Sequence, residues 1–130
     1  MSQVEIENWT KRKVNIDKNN ANLWVKPREI WWCFLGRNIG AEEHGKTDNF
    51  ARPVIVLKSF GQHTALVLPL STSQKQNPFY FSIGLVDGKI ATVILSQIRL
   101  IDTKRMDVKI ATLDAQKFTE LKKAIVGLMQ

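Results

Sequence analysis

The chain has 130 residues, a length typical of one domain that buries its core without disulfide bonds. Its 19 lysine and arginine residues outnumber 12 aspartate and glutamate residues, and the net charge of +7 favours a polyanionic partner, either nucleic acid or an acidic protein segment. The single cysteine, Cys33, excludes a disulfide framework and a cysteine-based metal cluster, and no apolar run is long enough to span a membrane. These properties predict a one-domain cytoplasmic protein without a membrane segment.

Residues 1–27 form a polar leader before the first strand pattern. Within it, Ile6, Trp9, Lys13 and Ile16 have helical spacing, which predicts a short helix that ends at the turn-forming segment DKNNAN. We place the domain boundary after this leader, so that residues 28–130 form the folded domain. The role of the leader stays open: it either caps the domain, extends an oligomer contact or binds a partner.

Five segments after the leader have the periodicity of short strands. In the first, EIWWCF at 29–34, Ile30 and Trp32 face one side, and Trp31 and Cys33 face the other. The remaining four are RPVIVLKS at 52–59, HTALVLPLSTS at 63–73, FYFSIGL at 79–85 and ATVILSQIRLI at 91–101. Short strands at this spacing predict a small antiparallel barrel or sandwich.

The C-terminal segment changes to helical periodicity. Phe118, Leu121, Ile125 and Leu128 fall on one face of the predicted helix, and Asp114 is its expected N-cap. The predicted fold class is therefore α+β, with helices capping a small sheet.

A polar loop of about 15 residues, at 36–51, separates the first two strands and is longer than most connections. It carries Glu42 and His44 and leads into Arg52 at the beginning of the second strand. Such a loop is either a solvated connection or a lid over a substrate. Because Pro53 favours extended backbone at Arg52, the strand start is a rigid mount for a permanent positive charge.

Hydroxyl groups lie at two predicted strand ends. Ser71 and Thr72 close the third segment, and Ser96, Gln97 and Arg99 lie in the fifth. Hydroxyls at strand ends usually bond the backbone of the next turn, and they also donate to phosphate oxygens. Both interpretations stay open.

Standard hydrolase motifs are absent from the sequence. His44 and His63 do not have the spacing of a metal site, and no zinc-protease, serine-hydrolase or phosphate-loop motif occurs. The protein is therefore either not an enzyme, or an enzyme that uses arginine, hydroxyl and imidazole groups without a metal.

Four stretches, taken in order, resemble the MazF/PemK family of bacterial toxins. They are EIWWCFLGRNIGAEEHG, RPVIVLKS, LVLPLST and VILSQIRLIDTKRM. The resemblance runs from about Arg28 into the C-terminal helix. It implies a small SH3-like antiparallel β-barrel with flanking helices, usually a homodimer, that cleaves single-stranded RNA at selected sequences without a metal or another cofactor. It also implies a type II toxin–antitoxin pair, in which a flexible acidic tail of the antitoxin occupies the RNA groove.

The functional positions of the family match Arg52, Ser71 with Thr72 beside it, and the pair Gly40 and Glu42. The family commonly has threonine at the position of Ser71, and serine keeps the hydroxyl group.

The sequence departs from the family pattern in three respects. The segment 45–52 is longer than usual, and Phe34 replaces an aspartate of the first strand. Ser96 stands where many members have an acidic residue, so a carboxylate that some members use for proton transfer is missing. This loss favours another base or a purely electrostatic mechanism.

The resemblance gives Arg52 a chemical role. RNA supplies its own nucleophile, the 2′-hydroxyl, and a guanidinium can grip two oxygens of the phosphate under attack. The hydroxyls of Ser71 or Thr72 are expected to share the developing charge. Because the guanidinium of arginine is already protonated, it has no free site to accept a proton, and we expect His44 or Glu42 to assist proton transfer.

Basic and amide side chains in the second half of the chain are candidates for RNA binding. They are Lys75, Lys89, Gln97, Arg99, Lys104 and Arg105. Trp31 or Phe79 is a candidate for stacking on bases. The alternatives are a solvated basic face for the charged residues and a place in the core for the aromatic ones.

Two other functions stay open. One is a non-catalytic SH3-like binding module, and the other is a toxin of the same fold that poisons DNA gyrase.

Overall fold

The computed structural model describes residues 24–35, 51–73 and 75–130, and within these ranges the chain forms seven β-strands and one α-helix. The strands are β1 (Glu29–Phe34), β2 (Ala51–Ser59), β3 (Thr64–Ser71), β4 (Tyr80–Val86), β5 (Lys89–Ile94), β6 (Arg99–Asp102) and β7 (Met106–Thr112), and the helix α1 spans Ala115–Leu128. No helix in the described part of the chain is long and apolar enough to cross a membrane. The helix predicted within residues 1–27, as well as Glu42 and His44, lies outside the described ranges.

The prediction of five strands was wrong at the fifth segment and beyond it. A 3₁₀ turn at Leu95–Gln97 divides this segment into β5 and β6. β5 pairs with β4 and with residues 70–71 of β3, whereas β6 pairs with residues 64–67 of β3. The turn lets the chain leave β4 and rejoin the other end of β3, which one straight strand cannot do. The prediction also missed β7, where charged residues alternate with Met106, Val108 and Ile110.

The strands form one curled, antiparallel half-barrel. Their order is β4-β5-β3-β2-β1-β7, with β6 beside β3, and every pairing between the described strands is antiparallel. The predicted α+β class and the barrel-like antiparallel sheet with a C-terminal helix are therefore confirmed.

One face of the sheet packs against α1, and we call this packing the helix-side core. It contains Ile30, Ile55 and Leu68 from the central strands, together with Phe118 and Leu121 from the helix. The helix begins as predicted, because the Asp114 side chain accepts hydrogen bonds from the backbone N–H groups of residues 116 and 117. Ile125 and Leu128 pack against the same core, so the predicted apolar face of the helix is also confirmed.

The opposite face of the sheet is buried in a second cluster, the Cys33 core, which includes Val25, Trp31, Cys33, Val54 and Met106. Ile30 lies in one core and Trp31 in the other, which confirms the alternation predicted for β1. Trp31 is buried, and its Nε1 donates a 3.0 Å hydrogen bond to a carboxylate oxygen of Glu29. Trp31 is thus a core residue, and the alternative that it stacks on RNA was wrong.

The Glu29 carboxylate is held at the edge of the Cys33 core by three donors. Besides Trp31, the backbone N–H of Lys26 donates at 2.9 Å and the Lys109 ammonium lies 3.3 Å away. Burial alone raises the pKa of Glu29, but the hydrogen bonds and the Lys109 charge outweigh it and hold the pKa below its ordinary value.

Candidate active site

The sheet brings the start of β2 and the end of β3 together. Val54 pairs with Pro69, and the same antiparallel register extended by two residues places Arg52 opposite Ser71. On its other side, Arg52 pairs with Cys33 of β1. Arg52, the second residue of β2, therefore lies between β1 and β3 near the start of its strand.

A row of hydroxyl residues continues across the sheet from Ser71. Ser71 pairs with Thr92 of β5, and Thr92 pairs with Ser82 of β4. Residues opposite each other on adjacent strands have Cβ atoms about 5 Å apart, so this row runs directly away from Arg52. Sequence inspection identified Ser71 but not Thr92 or Ser82, because their alignment depends on pairing between strands.

The Ser71 hydroxyl stabilises the end of its own strand. Its oxygen accepts a 3.0 Å hydrogen bond from the backbone N–H of Ser73, which confirms the turn-stabilising interpretation. A hydroxyl has two lone pairs and one proton. The turn uses one lone pair, so the proton of the Ser71 hydroxyl can still be donated to a ligand.

A cavity of about 290 Å³ opens beside these residues. It is lined by Trp32, Arg52, Pro53, Leu70, Ser71, Thr72, Val86, Asp87, Lys89, Ile90, Ala91 and Ile110. Four of the candidates chosen from the sequence, Arg52, Ser71, Thr72 and Lys89, therefore share one cavity.

The floor and the rim of the cavity differ in chemistry. Leu70 and Ala91 belong to the helix-side core, and Val86 and Ile110 pack against it, so the cavity is the open end of that core. The rim carries the charged and hydroxyl side chains. Such a shape suits a ligand with an apolar part and an anionic part.

Sequence inspection missed Asp87 on the wall of this cavity. Asp87 and Gly88 form the two-residue turn between β4 and β5, and both have positive φ angles, 54° and 82°. An Asp-Gly pair between apolar strands is a strong hairpin signal, because both central residues of this turn type need positive φ. That signal locates the turn, but it does not reveal that Asp87 lines the same cavity as Arg52.

The other predicted RNA-binding residues do not line the cavity. The Lys75 ammonium lies 5.6 Å from the ring centroid of Tyr80, and Gln97 is in the exposed 3₁₀ turn after β5. Phe79, the second stacking candidate, is half exposed. Lys75, Gln97 and Phe79 are therefore not among the residues that line this cavity.

Arg99, Lys104 and Arg105 lie near β6, towards the Cys33 core. Arg105 donates a 3.0 Å hydrogen bond to the backbone oxygen of Phe34, and Lys104 lies in the turn capped by Asp102. Burial raises the pKa of Cys33 to about 12, although the charges of Arg105 and Arg99 act in the opposite direction. Cys33 is thus a neutral thiol at physiological pH, and the arginines beside it do not face the cavity.

Comparison with known proteins identifies the family. The family model described as "PemK-like, MazF-like toxin of type II toxin-antitoxin system" matches residues 26–129. The chain therefore belongs to this family of toxins, whose members are endoribonucleases, and the resemblance drawn from the sequence is confirmed. A comparison with curated proteins finds no match.

Solved structures of this family have the same fold. The chain is similar to MazF from Deinococcus radiodurans, with a TM-score of 0.64 and 20% identity over 81% of this chain and 96% of that one. It is also similar to the Mycobacterium tuberculosis toxin MazF-mt6, with a TM-score of 0.62 and 18% identity over 78% and 96% of the two chains. A mycobacterial endoribonuclease in complex with its cognate antitoxin gives a TM-score of 0.63 and 12% identity over 82% and 95%.

Proposed function

We propose that the protein is a metal-independent, sequence-selective endoribonuclease that cleaves single-stranded RNA by attack of a 2′-hydroxyl on the adjacent phosphate. The observation that carries this proposal is the convergence of Arg52, Ser71, Thr72 and Lys89 on one cavity. A phosphodiester under attack gains negative charge, and these side chains supply two cations and two hydroxyl donors.

Arg52 has the central role in this mechanism. Its guanidinium stays charged at every physiological pH and donates to two phosphate oxygens at once. Because its strand is paired on both sides, the donors need little reorganisation as the charge develops. The Ser71 hydroxyl donates its proton to the same phosphate, while Lys89 attracts the strand to the cavity.

Proton transfer from the 2′-hydroxyl needs a base other than Arg52. His44 and Glu42 stay the predicted candidates, and their part in the reaction is tested by variants. Loss of the pH dependence of the cleavage rate in His44→Ala would assign the base to His44. An unchanged profile in both His44→Ala and Glu42→Gln would favour the purely electrostatic mechanism.

The net charge of +7 supports an acidic partner as well as RNA. We propose that the protein acts in the cytoplasm as a homodimer and that a cognate antitoxin with a flexible acidic tail neutralises it. The Deinococcus radiodurans neighbours described as MazE-MazF give the structural precedent for a toxin–antitoxin complex.

The proposal is tested with the purified full-length protein and a long single-stranded RNA in EDTA, followed by mapping of the new ends. We expect cuts at a repeated sequence that persist in the chelator and leave a cyclic phosphate. Arg52→Gln removes the cuts, whereas Lys123→Gln, which deletes an exposed charge on α1, keeps them. Equal cleavage by wild type and Arg52→Gln would contradict the proposal.

The same variants separate the alternative functions. A binding module would hold RNA without cutting it, and Arg52→Gln would weaken that binding. A gyrase poison would cause DNA damage on expression without rapid loss of transcripts.

A further inference from the structure

The chemistry of the cavity wall is not that of a simple phosphate site. Asp87 lines the same cavity as Arg52, Lys89 and Ser71. A carboxylate only accepts hydrogen bonds when ionised, and beside a bound phosphodiester it repels the ligand. A ligand that occupies this cavity is therefore favoured if it presents hydrogen-bond donors towards Asp87.

The position of this carboxylate is fixed by the hairpin. Val86 pairs with Lys89, and the two residues between them take the positive φ angles of a tight turn. β5 then continues into the helix-side core through Ala91 and Val93. Asp87 is thus mounted on a paired hairpin rather than on a long loop, which favours a specific contact.

The size and the apolar lining of the cavity suit a flat aromatic ring. Trp32, Ile90 and Ile110 belong to its apolar lining, and the volume of about 290 Å³ falls just below the range of pockets that hold drug-sized ligands. Proteins that bind single-stranded RNA commonly turn out a base, stack it on apolar or aromatic side chains and read its Watson–Crick edge. The cavity has the size and lining for one such base.

We propose that the cavity binds a guanine base of the RNA next to the cleaved phosphate and that Asp87 selects this base. The inference rests on the proposed RNA-cleaving function and adds a specificity determinant to it. The Asp87 carboxylate accepts hydrogen bonds from the guanine ring N–H and exocyclic amino group, while Arg52 and Lys89 hold the flanking phosphates.

Guanine is favoured over the other bases by its pattern of donors. Its ring N–H and amino group are adjacent on the Watson–Crick edge and match the two oxygens of one carboxylate. Adenine and cytosine each present an amino group beside an acceptor nitrogen, and uracil presents one N–H between two acceptor oxygens. Each of these three bases brings an acceptor towards the carboxylate, which is repulsive.

The test measures binding, independently of cleavage. Short oligouridine strands with 2′-O-methyl groups cannot be cut, and one position carries guanine, inosine or 7-deazaguanine. Inosine lacks only the amino group, whereas 7-deazaguanine keeps the whole Watson–Crick edge. Fluorescence anisotropy gives the Kd of each strand for the full-length wild type, Asp87→Asn and Glu120→Gln. Glu120→Gln removes an exposed carboxylate of α1 as the matched control.

We expect wild type and Glu120→Gln to bind the guanine strand about 10-fold or more tightly than the inosine strand, the size of one hydrogen bond to a charged group. The 7-deazaguanine strand is expected to bind like guanine. In Asp87→Asn the difference between guanine and inosine falls below about 2-fold. Asparagine tolerates positive φ as aspartate does, so this variant keeps the hairpin.

A wild type that does not distinguish guanine from inosine, or an Asp87→Asn variant that keeps the full difference, would overturn the inference. Cleavage of ordinary RNA by the same preparations decides the proposed function separately. Cleavage without guanine discrimination leaves the endoribonuclease and removes the guanine site. Discrimination through Asp87 without cleavage leaves the base site and removes the endoribonuclease.

Discussion

The cavity and the Cys33 core both have arginine at their edge, yet they differ in what the arginine meets. Arg52 meets an open space with hydroxyl groups and an apolar floor. Arg105 instead meets the backbone oxygen of Phe34 beside a buried thiol. The comparison shows that positive charge alone does not locate the candidate site. An arginine becomes a candidate catalytic residue when its neighbours leave space and further donors for a ligand.

The largest expected difference between the two regions is in the cleavage rate. Arg52→Gln is expected to lower kcat about 10³-fold, because it removes a preorganised charge from the transition state. Arg105→Gln is expected to change kcat less than about 3-fold and to act on KM and its salt dependence, as a distant phosphate contact does. Single-turnover cleavage of a labelled RNA at several salt concentrations measures both. A similar loss of kcat in both variants would show that Arg52 and Arg105 do not differ in their role in cleavage.

Two hydroxyl residues, Ser71 near the cavity and Thr103 near β6, are expected to differ in the same sense, with a smaller effect on kcat. Ser71→Ala is expected to lower kcat about 10²-fold through loss of one donor to the phosphate. Thr103→Ala is the matched control near β6, because the buried Thr103 hydroxyl donates to the Gln62 carbonyl at 2.8 Å. It is expected to lower the free energy of unfolding by about 1 kcal/mol and to leave kcat unchanged. Urea unfolding and cleavage assays on both variants measure these effects. A loss of kcat in Thr103→Ala, with unchanged kcat in Ser71→Ala, would contradict the prediction.

A change at the N-cap of α1 is expected to lower the stability of the protein without altering the cavity. Asp114→Ala removes the acceptor of two backbone N–H groups and is expected to destabilise the protein by about 1 kcal/mol. Well below the melting temperature, kcat should stay within about 2-fold of wild type, because the cap does not touch the cavity. Thermal unfolding by circular dichroism checks the first value. An unaltered Tm would mean that the capping bonds do not stabilise the fold.

The smallest effect concerns pH and the Cys33 side of the sheet. The pKa of Glu29 is lowered in the folded protein, so the carboxylate stabilises the fold above its unfolded pKa near 4.5. That contribution is lost as the pH falls through the folded pKa, and Glu29→Gln is expected to weaken the acid dependence in that window. Urea unfolding of both proteins from neutral to acidic pH measures this. An identical acid dependence would remove Glu29 as a contributor.

Sequence patterns correctly predicted those features of the fold that depend on residues close together in the chain. The Asp114 cap, the apolar face of α1 and the two-sided burial of β2 all depend on neighbouring residues. The break between β5 and β6 was missed because it depends on which part of β3 each segment pairs with. Strand pairing over long sequence separation leaves no local periodic signal.

The sequence also predicted only some of the residues that line the cavity. Arg52 and Ser71 were found through the motifs of their own strands, and Lys89 through its charge. Asp87 was missed because a turn residue joins the cavity lining only when β5 pairs with the end of β3. For Glu42 and His44 the roles stay predictions.

The attachment of the β4–β5 hairpin has a consequence for protein engineering. This hairpin joins β3 through two residue pairs, Leu70 with Val93 and Ser71 with Thr92, whereas β2 and β3 share five. Replacing residues 86–89 with turns of other length and composition would therefore remodel the cavity mouth and leave the central register intact. Under the proposed function, cleavage of a mixed RNA pool by a library randomised at these four positions tests whether the hairpin sets the sequence that is cut.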